Sequence, residues 1–331
     1  MASDRKPRNL NDLARQAKVT ATTVSMALRD SPRLSAALKE KIRQMAAESD
    51  FTPRAYNRKP KPKAAKRYAH LGPVMLLSDD HGDEDPVRDG ILPVVSQKLS
   101  QNGVDFQMVN LSELRKNPDM LGDFAAALFC NDLKGIELPD GFPAVQVFGW
   151  CPRGVAMDRI TANDTEVVAI AVDYFRRAGV TRAAIVWDRG MVDIPDHPRI
   201  TGFVGQMAAA GIEPTLMPFV REEPDFIGRV RGYVAKGDDR LGFFGFNAMC
   251  GVRLCCTLES LELMRKYGES SVLVCDKSQL LNGFYPRPAM IDLNLPVMAE
   301  RATEMLLRRL AEPGIPGLLV LQSPRLVGYG E

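Results

Sequence analysis

Apolar residues at Leu10, Leu13, Ala14 and Ala17 recur at i, i+3, i+4 and i+7, the spacing of one face of a short helix. A three-residue break, Lys18-Val19-Thr20, precedes a second stripe of Val24, Ala27 and Leu28. Thr20 is placed to cap the second helix, since its hydroxyl can accept an otherwise orphaned backbone N–H. Two short helices joined by a tight turn make a helix-turn-helix unit. Ser35 caps a predicted third helix, whose Leu38, Ile42, Met45 and Ala46 close a small core that Phe51 completes.

From Leu71 the pattern changes to short β-rich runs alternating with amphipathic stretches. Strands are predicted at 72–78, 104–109, 125–130 and 144–148, with a helix at 87–99 between the first two. The pattern restarts at Asn163. It predicts helices at 164–177, 199–210, 225–236 and 248–266, and strands at 182–187, 214–219, 240–246 and 271–275. A last helix, 296–310, leads into a strand-like segment at 318–330. Such alternation gives parallel α/β sheets, and the restart gives two lobes. The predicted fold class is therefore α/β, with an N-terminal three-helix head and a two-lobed body. The expected boundaries are a head at 1–53, a linker at 54–70 and a body at 71–331. Within the body, lobe 1 takes about 71–160 plus 293–317, and lobe 2 takes about 161–292 plus 318–331.

A net charge of +2 conceals a strong division. Residues 1–70 hold 17 Lys or Arg against 6 Asp or Glu, whereas the remainder holds 26 against 35. A basic head suits a polyanion, because neutralising phosphates releases condensed counterions, while the acidic body would be repelled by the same duplex. Composition is that of a globular chain, with 45% hydrophobic and 25% charged residues. No apolar run is long enough to cross a membrane, and Met1 to Leu10 lacks a secretory apolar stretch, so the expected location is cytoplasmic. The six cysteines have no C-x-x-C spacing and read as buried fillers; no metal and no cofactor are expected. Nucleotide-binding glycine motifs and the G-x-S-x-G elbow are also absent.

The segment L10-N-D-L-A-R-Q-A-K-V-T-A-T-T-V-S-M-A-L, continued from Ser35 to F51-T-P, closely resembles the DNA-binding head of the lactose/galactose-repressor (LacI/GalR) family of transcription factors. That resemblance implies that the helix starting near Ala21 enters the major groove of double-stranded operator DNA, with Ala21, Thr22 and Met26 at base edges. Thr20, Thr23, Ser25 and Arg29 complete the expected contacts on this side, and Arg54, Tyr56, Asn57 and Arg58 those of the linker. Two residues depart from the family pattern. Lys18 stands where the turn commonly has glycine, at a cost of about 1 kcal/mol if left-handed. Met26 stands where relatives place a polar reader, and offers only apolar contact, for instance with a thymine methyl. The family's hinge leucine falls at Pro60, and Pro60 with Pro62 disfavours a continuous hinge helix. Seven basic residues from Arg54 to Arg67 leave the linker to act mainly through charge.

The resemblance extends over the body to the family's sensor domain, which is like the periplasmic sugar-binding proteins. Arg199-Ile-Thr-Gly202-Phe203 matches its R-x-x-G-F/W pattern; Gly245-Phe246-Asn247 resembles the strand end usually reading A-N-D, with Ala248 replacing the acid; Val274-Cys275-Asp276 resembles G-F/Y-D. This implies that Arg199, Asn247 and Asp276 converge on a small-molecule effector, a sugar or related metabolite, bound between the two lobes. Trp150 and Trp187, expected just beyond strand ends, are candidate stacking platforms, and Phe226 is a weaker one. The reading is of an effector-controlled repressor that binds operator DNA as a homodimer, with no membrane partner. An enzyme fused to a DNA-binding head is the alternative, but no catalytic constellation stands out.

Overall fold

The computed structural model describes residues 10–28, 34–49, 71–78, 86–130, 135–149, 157–190, 196–220, 225–236 and 240–327. The chain divides into two compact units, Met1–Ala65 and Lys66–Glu331.

In the first unit, α1 (Leu10–Ala17), α2 (Ala21–Leu28) and α3 (Ala36–Glu48) follow the expected stripes. Leu13, Ala14, Ala17, Val24, Ala27, Ile42 and Ala46 form its core, with Leu38 and Met45 packed against it. Thr20 Oγ1 accepts the Thr23 N–H at 3.2 Å, and Ser35 Oγ accepts the Leu38 N–H at 3.4 Å, so both expected caps form. Lys18 does adopt a left-handed backbone, at φ 55°. Glycine would adopt that conformation without a Cβ clash, so the turn holds some strain. Phe51 lies outside the described residues.

The second unit contains two six-stranded sheets. β1 (Val74–Ser78), α4 (Pro86–Gln101), β2 (Phe106–Asn110), α5 (Leu111–Lys116), β3 (Ala126–Cys130), β4 (Ala144–Val147) and β5 (Asp158–Ala162) open the first. Then come α6 (Asp164–Arg177), β6 (Arg182–Asp188), α7 (Pro198–Ala209), β7 (Glu213–Phe219), α8 (Phe226–Val234) and β8 (Leu241–Gly245). The chain continues through α9 (Ala248–Ser260), α10 (Met264–Tyr267), β9 (Val272–Cys275), β10 (Ala289–Asp292), α11 (Leu295–Ala311), β11 (Leu319–Gln322) and β12 (Arg325–Val327). Strand orders are β11-β5-β4-β3-β1-β2 and β12-β10-β9-β8-β6-β7. All the described pairings are parallel except β10 with β12. The central strands β1, β3, β4 and β8 are buried throughout, as expected for sheets covered on both faces.

The chain passes between the sheets three times: after β5, after β10 and between β11 and β12. This corrects the expectation that 318–331 lies wholly in lobe 2, because β11 pairs with β5 in the first sheet and only β12 joins the second. The expected lobe 1 limit at residue 160 likewise cuts through β5, which ends at Ala162. The predicted helix 248–266 is broken by Glu262, at φ 60°, into α9 and α10. Cys130, Cys250, Cys255 and Cys275 are buried as expected, but Cys256 is exposed. No helix among the described residues is long and apolar enough to cross a membrane.

Candidate functional site

On the head, Thr20 is exposed, and Ala21, Thr23 and Met26 are half-buried on or beside α2. Thr20 and Thr23 also share a hydroxyl–hydroxyl hydrogen bond of 2.8 Å, so part of their polarity serves the helix end itself. Thr22 and Ser25 belong to the same helix. Arg29, Arg54, Tyr56, Asn57 and Arg58 lie outside the described residues, as does the proline-containing linker.

The second sheet gathers charged and polar groups at the carboxyl ends of its strands, where open α/β sheets place ligands. Arg199, in the first turn of α7, is 5% exposed. Its Nε donates to Asp164 Oδ1 at 2.8 Å, and its Nη1 donates to the Phe246 carbonyl just beyond β8. The guanidinium lies over the Phe246 ring, 4.6 Å from its centroid. Asp276, which follows β9, is 6% exposed and holds a left-handed backbone at φ 70°. A non-glycine residue there is strained, a cost that recurs at functional positions. Its carboxylate accepts from the Ala248 N–H at the start of α9 and faces the Arg199 charge; burial raises its pKa, and Arg199 partly offsets the rise. Burial works against the Arg199 charge as well, but Cys275, Asp164 and Asp276 around it hold its pKa above the ordinary value.

Asn247 sits between these groups in sequence, but its side chain caps α9, accepting the Cys250 N–H at 2.9 Å. Four neighbours were not singled out from sequence. Asp164 looks like an ordinary acid in the first turn of a helix. His197 caps α7, its Nδ1 accepting the Arg199 N–H at 3.1 Å, and its ring packs edge-on against Phe246 at 4.9 Å. Burial first, and Arg199 second, lower its pKa to about 4, so it is neutral at pH 7. Asp188, at the end of β6, is 6% exposed and accepts the Gly190 N–H at 2.8 Å. Cys275 places its Sγ 3.7 Å from Asp276 Oδ1, and burial pushes its thiol pKa well up. Asp164, His197 and Asp188 lie in no motif that sets them apart from helix caps and strand ends.

Two aromatic expectations need correction. Phe226 is fully buried, its ring 5.0 Å from Phe219, and fills the core because α8 lies against the sheet through its apolar face. Trp187 lies inside β6, paired with Pro218 of β7, and packs against the same core. The strand continues to Asp188, so the indole is not beyond its end. Trp150 lies outside the described residues. Among the described residues, no group of three His, Cys, Asp or Glu side chains is placed to hold a metal ion.

The chain joins a helix-turn-helix head to a body of two mostly parallel sheets between which it crosses three times, the architecture of a DNA-binding head on a body with the periplasmic-binding-protein type of fold. Residues 9–54 match the family model "Bacterial regulatory proteins, lacI family". The head is thus a lacI-family DNA-binding domain, and the fold of the whole chain is that of LacI/GalR regulators. The lac repressor dimer, solved bound to operator and the anti-inducer ONPF, superposes with TM-score 0.62 at 15% identity, over 97% of this chain and 98% of the repressor. The transcriptional regulator CelR in complex with cellobiose gives TM-score 0.61 at 16% identity, again over 97% and 98%. A LacI family regulator from Silicibacter pomeroyi gives 0.58 at 17%, with the same coverage. No curated protein sequence matches the chain.

Proposed function

We propose that the protein is a sequence-specific transcriptional repressor whose grip on operator DNA is set by a small-molecule effector, a sugar or related metabolite, received at the carboxyl ends of the second sheet. The observation that carries this reading is one chain joining a lacI-family head to a lobe in which Arg199, Asp276, Asp164 and His197 are gathered at the strand ends. Structural neighbours bound to operator or to cellobiose support the same division of labour. Paired heads are needed to read a two-fold operator, so the protein acts as a homodimer. An effector alters that reading only if it binds one arrangement of the lobes better than the other, since equal affinity shifts nothing. A DNA partner supports a cytoplasmic location, and the lacI-family head supports the role of a binder.

Footprinting on the DNA upstream of the protein's own gene tests the reading. The expected result is a protected two-fold symmetric site that persists when nonspecific binding has been removed by salt. Uniform, salt-sensitive coverage would contradict it. Once a ligand that alters the footprint is found, Arg199→Ala should abolish that response and leave the footprint itself intact, because Arg199 belongs to the body unit and not to the head.

A further inference from the structure

Arginine is often the residue that receives an anion, because its planar fork offers two parallel N–H donors to a carboxylate or phosphate. Each of the two forks of Arg199 already has one nitrogen engaged. Nε is held by Asp164, which spoils the Nε/Nη2 edge, and Nη1 is held by the Phe246 carbonyl, which spoils the Nη1/Nη2 edge. The pair with Asp164 is well sequestered, with side chains 6% and 15% exposed. Around it the charge balance is negative. Among the described residues, the carboxylates of Asp164 and Asp276 face this guanidinium, Asp188 is buried at the end of β6, and His197 is neutral at pH 7. Lys277, beside Asp276, and Arg189, beside Asp188, are exposed to water.

We infer that Asp164 is a specificity-determining residue: by occupying Arg199 it turns an anion receptor into a donor for uncharged groups, so the effector site admits hydroxyl-bearing ligands without negative charge and rejects phosphates and carboxylates. The inference rests on the effector-site reading above and narrows it to a ligand class. A hydroxyl uses the free N–H groups of Arg199 one at a time and donates to the Asp276 carboxylate. An anion paired with Arg199 lies close to the Asp164 and Asp276 carboxylates, and among the described residues buried there Arg199 is the one cation facing them; like charges at that range are costly in a desolvated site.

Inorganic phosphate, titrated calorimetrically into the full-length protein and its variants, is the test. Wild type should show no saturable binding that depends on Arg199. Asp164→Asn keeps the shape, releases the Nε/Nη2 edge and should gain phosphate affinity by at least about tenfold. The gain should vanish in Asp164→Asn/Arg199→Gln, which separates this site from phosphate bound by the basic head. Asp276→Asn, which removes the other carboxylate facing Arg199, should produce a gain in the same direction and serves if Asp164→Asn does not fold. Phosphate binding by wild type that is lost in Arg199→Gln would overturn the inference, as would folded Asp164→Asn without the gain, or a gain that survives in the double variant. Footprints of the same proteins keep the two readings apart: a protected operator with no phosphate gain refutes the charge filter alone, whereas absence of any protected operator refutes the regulator.

Discussion

Each lobe of the body buries an arginine against an aspartate, and the two pairs differ in what surrounds them. In the first lobe Arg309 Nη2 meets Asp158 Oδ1 at 2.8 Å, with side chains 4% and 1% exposed. The same oxygen accepts the Leu318 N–H at 2.7 Å, and Arg309 Nη1 donates to the Ile315 carbonyl at 3.4 Å. One pair thereby ties α11, the start of β5 and the run into β11 together, using chain segments about 150 residues apart. In the second lobe Arg199 and Asp164 are also 2.8 Å apart, but their neighbours are other ionisable groups: Asp276, His197 and the Cys275 thiol. The first pair is enclosed by backbone and holds the lobe shut upon itself. The second is surrounded by ionisable side chains whose protonation and hydrogen bonding can change.

The largest expected effect separates these roles. Arg309→Ala leaves Asp158 buried without its cation and should cost about 3–5 kcal/mol of body stability in urea unfolding. Replacing both partners with apolar residues, Arg309→Met with Asp158→Leu, should recover much of that loss, although the Leu318 N–H then lacks its acceptor. If Arg309→Ala proves as stable as wild type, the pair is not the clasp described.

A pH series sharpens the second half of the comparison. His197 has a folded pKa of about 4 against an ordinary 6.5. The native state therefore disfavours its proton, and the stability this contributes is fully present above pH 6.5 and lost as pH falls through about 4. At most the loss is about 3 kcal/mol. Asp276 acts with the opposite sign. Its raised pKa means a contribution that is present at low pH and lost as pH rises through the folded value, a cost at pH 7. Urea unfolding at pH 7, 5.5 and 4 should show a decline that His197→Gln reduces; an equal decline in both proteins would remove His197 from this account.

How much of this was legible in the sequence differs between the regions. The head was readable because its stripes, caps and tight turn are local, and Thr20, Ser35 and the left-handed Lys18 are where local rules put them. β5 was not, since its first residue is a buried aspartate explained by Arg309 and the Leu318 N–H, far along the chain. The sheet to which β11 belongs depends on pairing with β5, a long-range choice that periodicity does not encode. At the candidate site the motif around Arg199 was visible, but Asp164 and His197 look like ordinary helix-start residues. Phe226 was misplaced because an aromatic near a strand end fits the core as well as a ligand site, while the half-buried Trp187 lies one residue inside the end of its strand.

A smaller effect belongs to the head. Thr20→Ala removes the cap of α2 and should lower head stability by about 1 kcal/mol in thermal unfolding. An unchanged melting temperature would show that this hydrogen bond adds nothing.

The central claim, a head that reads base sequence joined in one chain to a body that receives a ligand, is tested most directly by selection of DNA from a random pool with the full-length protein and its Met26→Gln variant. The account predicts an enriched two-fold symmetric sequence for the wild type and, for the variant, the same architecture with the preference changed at one base position in each half-site. Enrichment without symmetry, or identical preferences for both proteins, would contradict it.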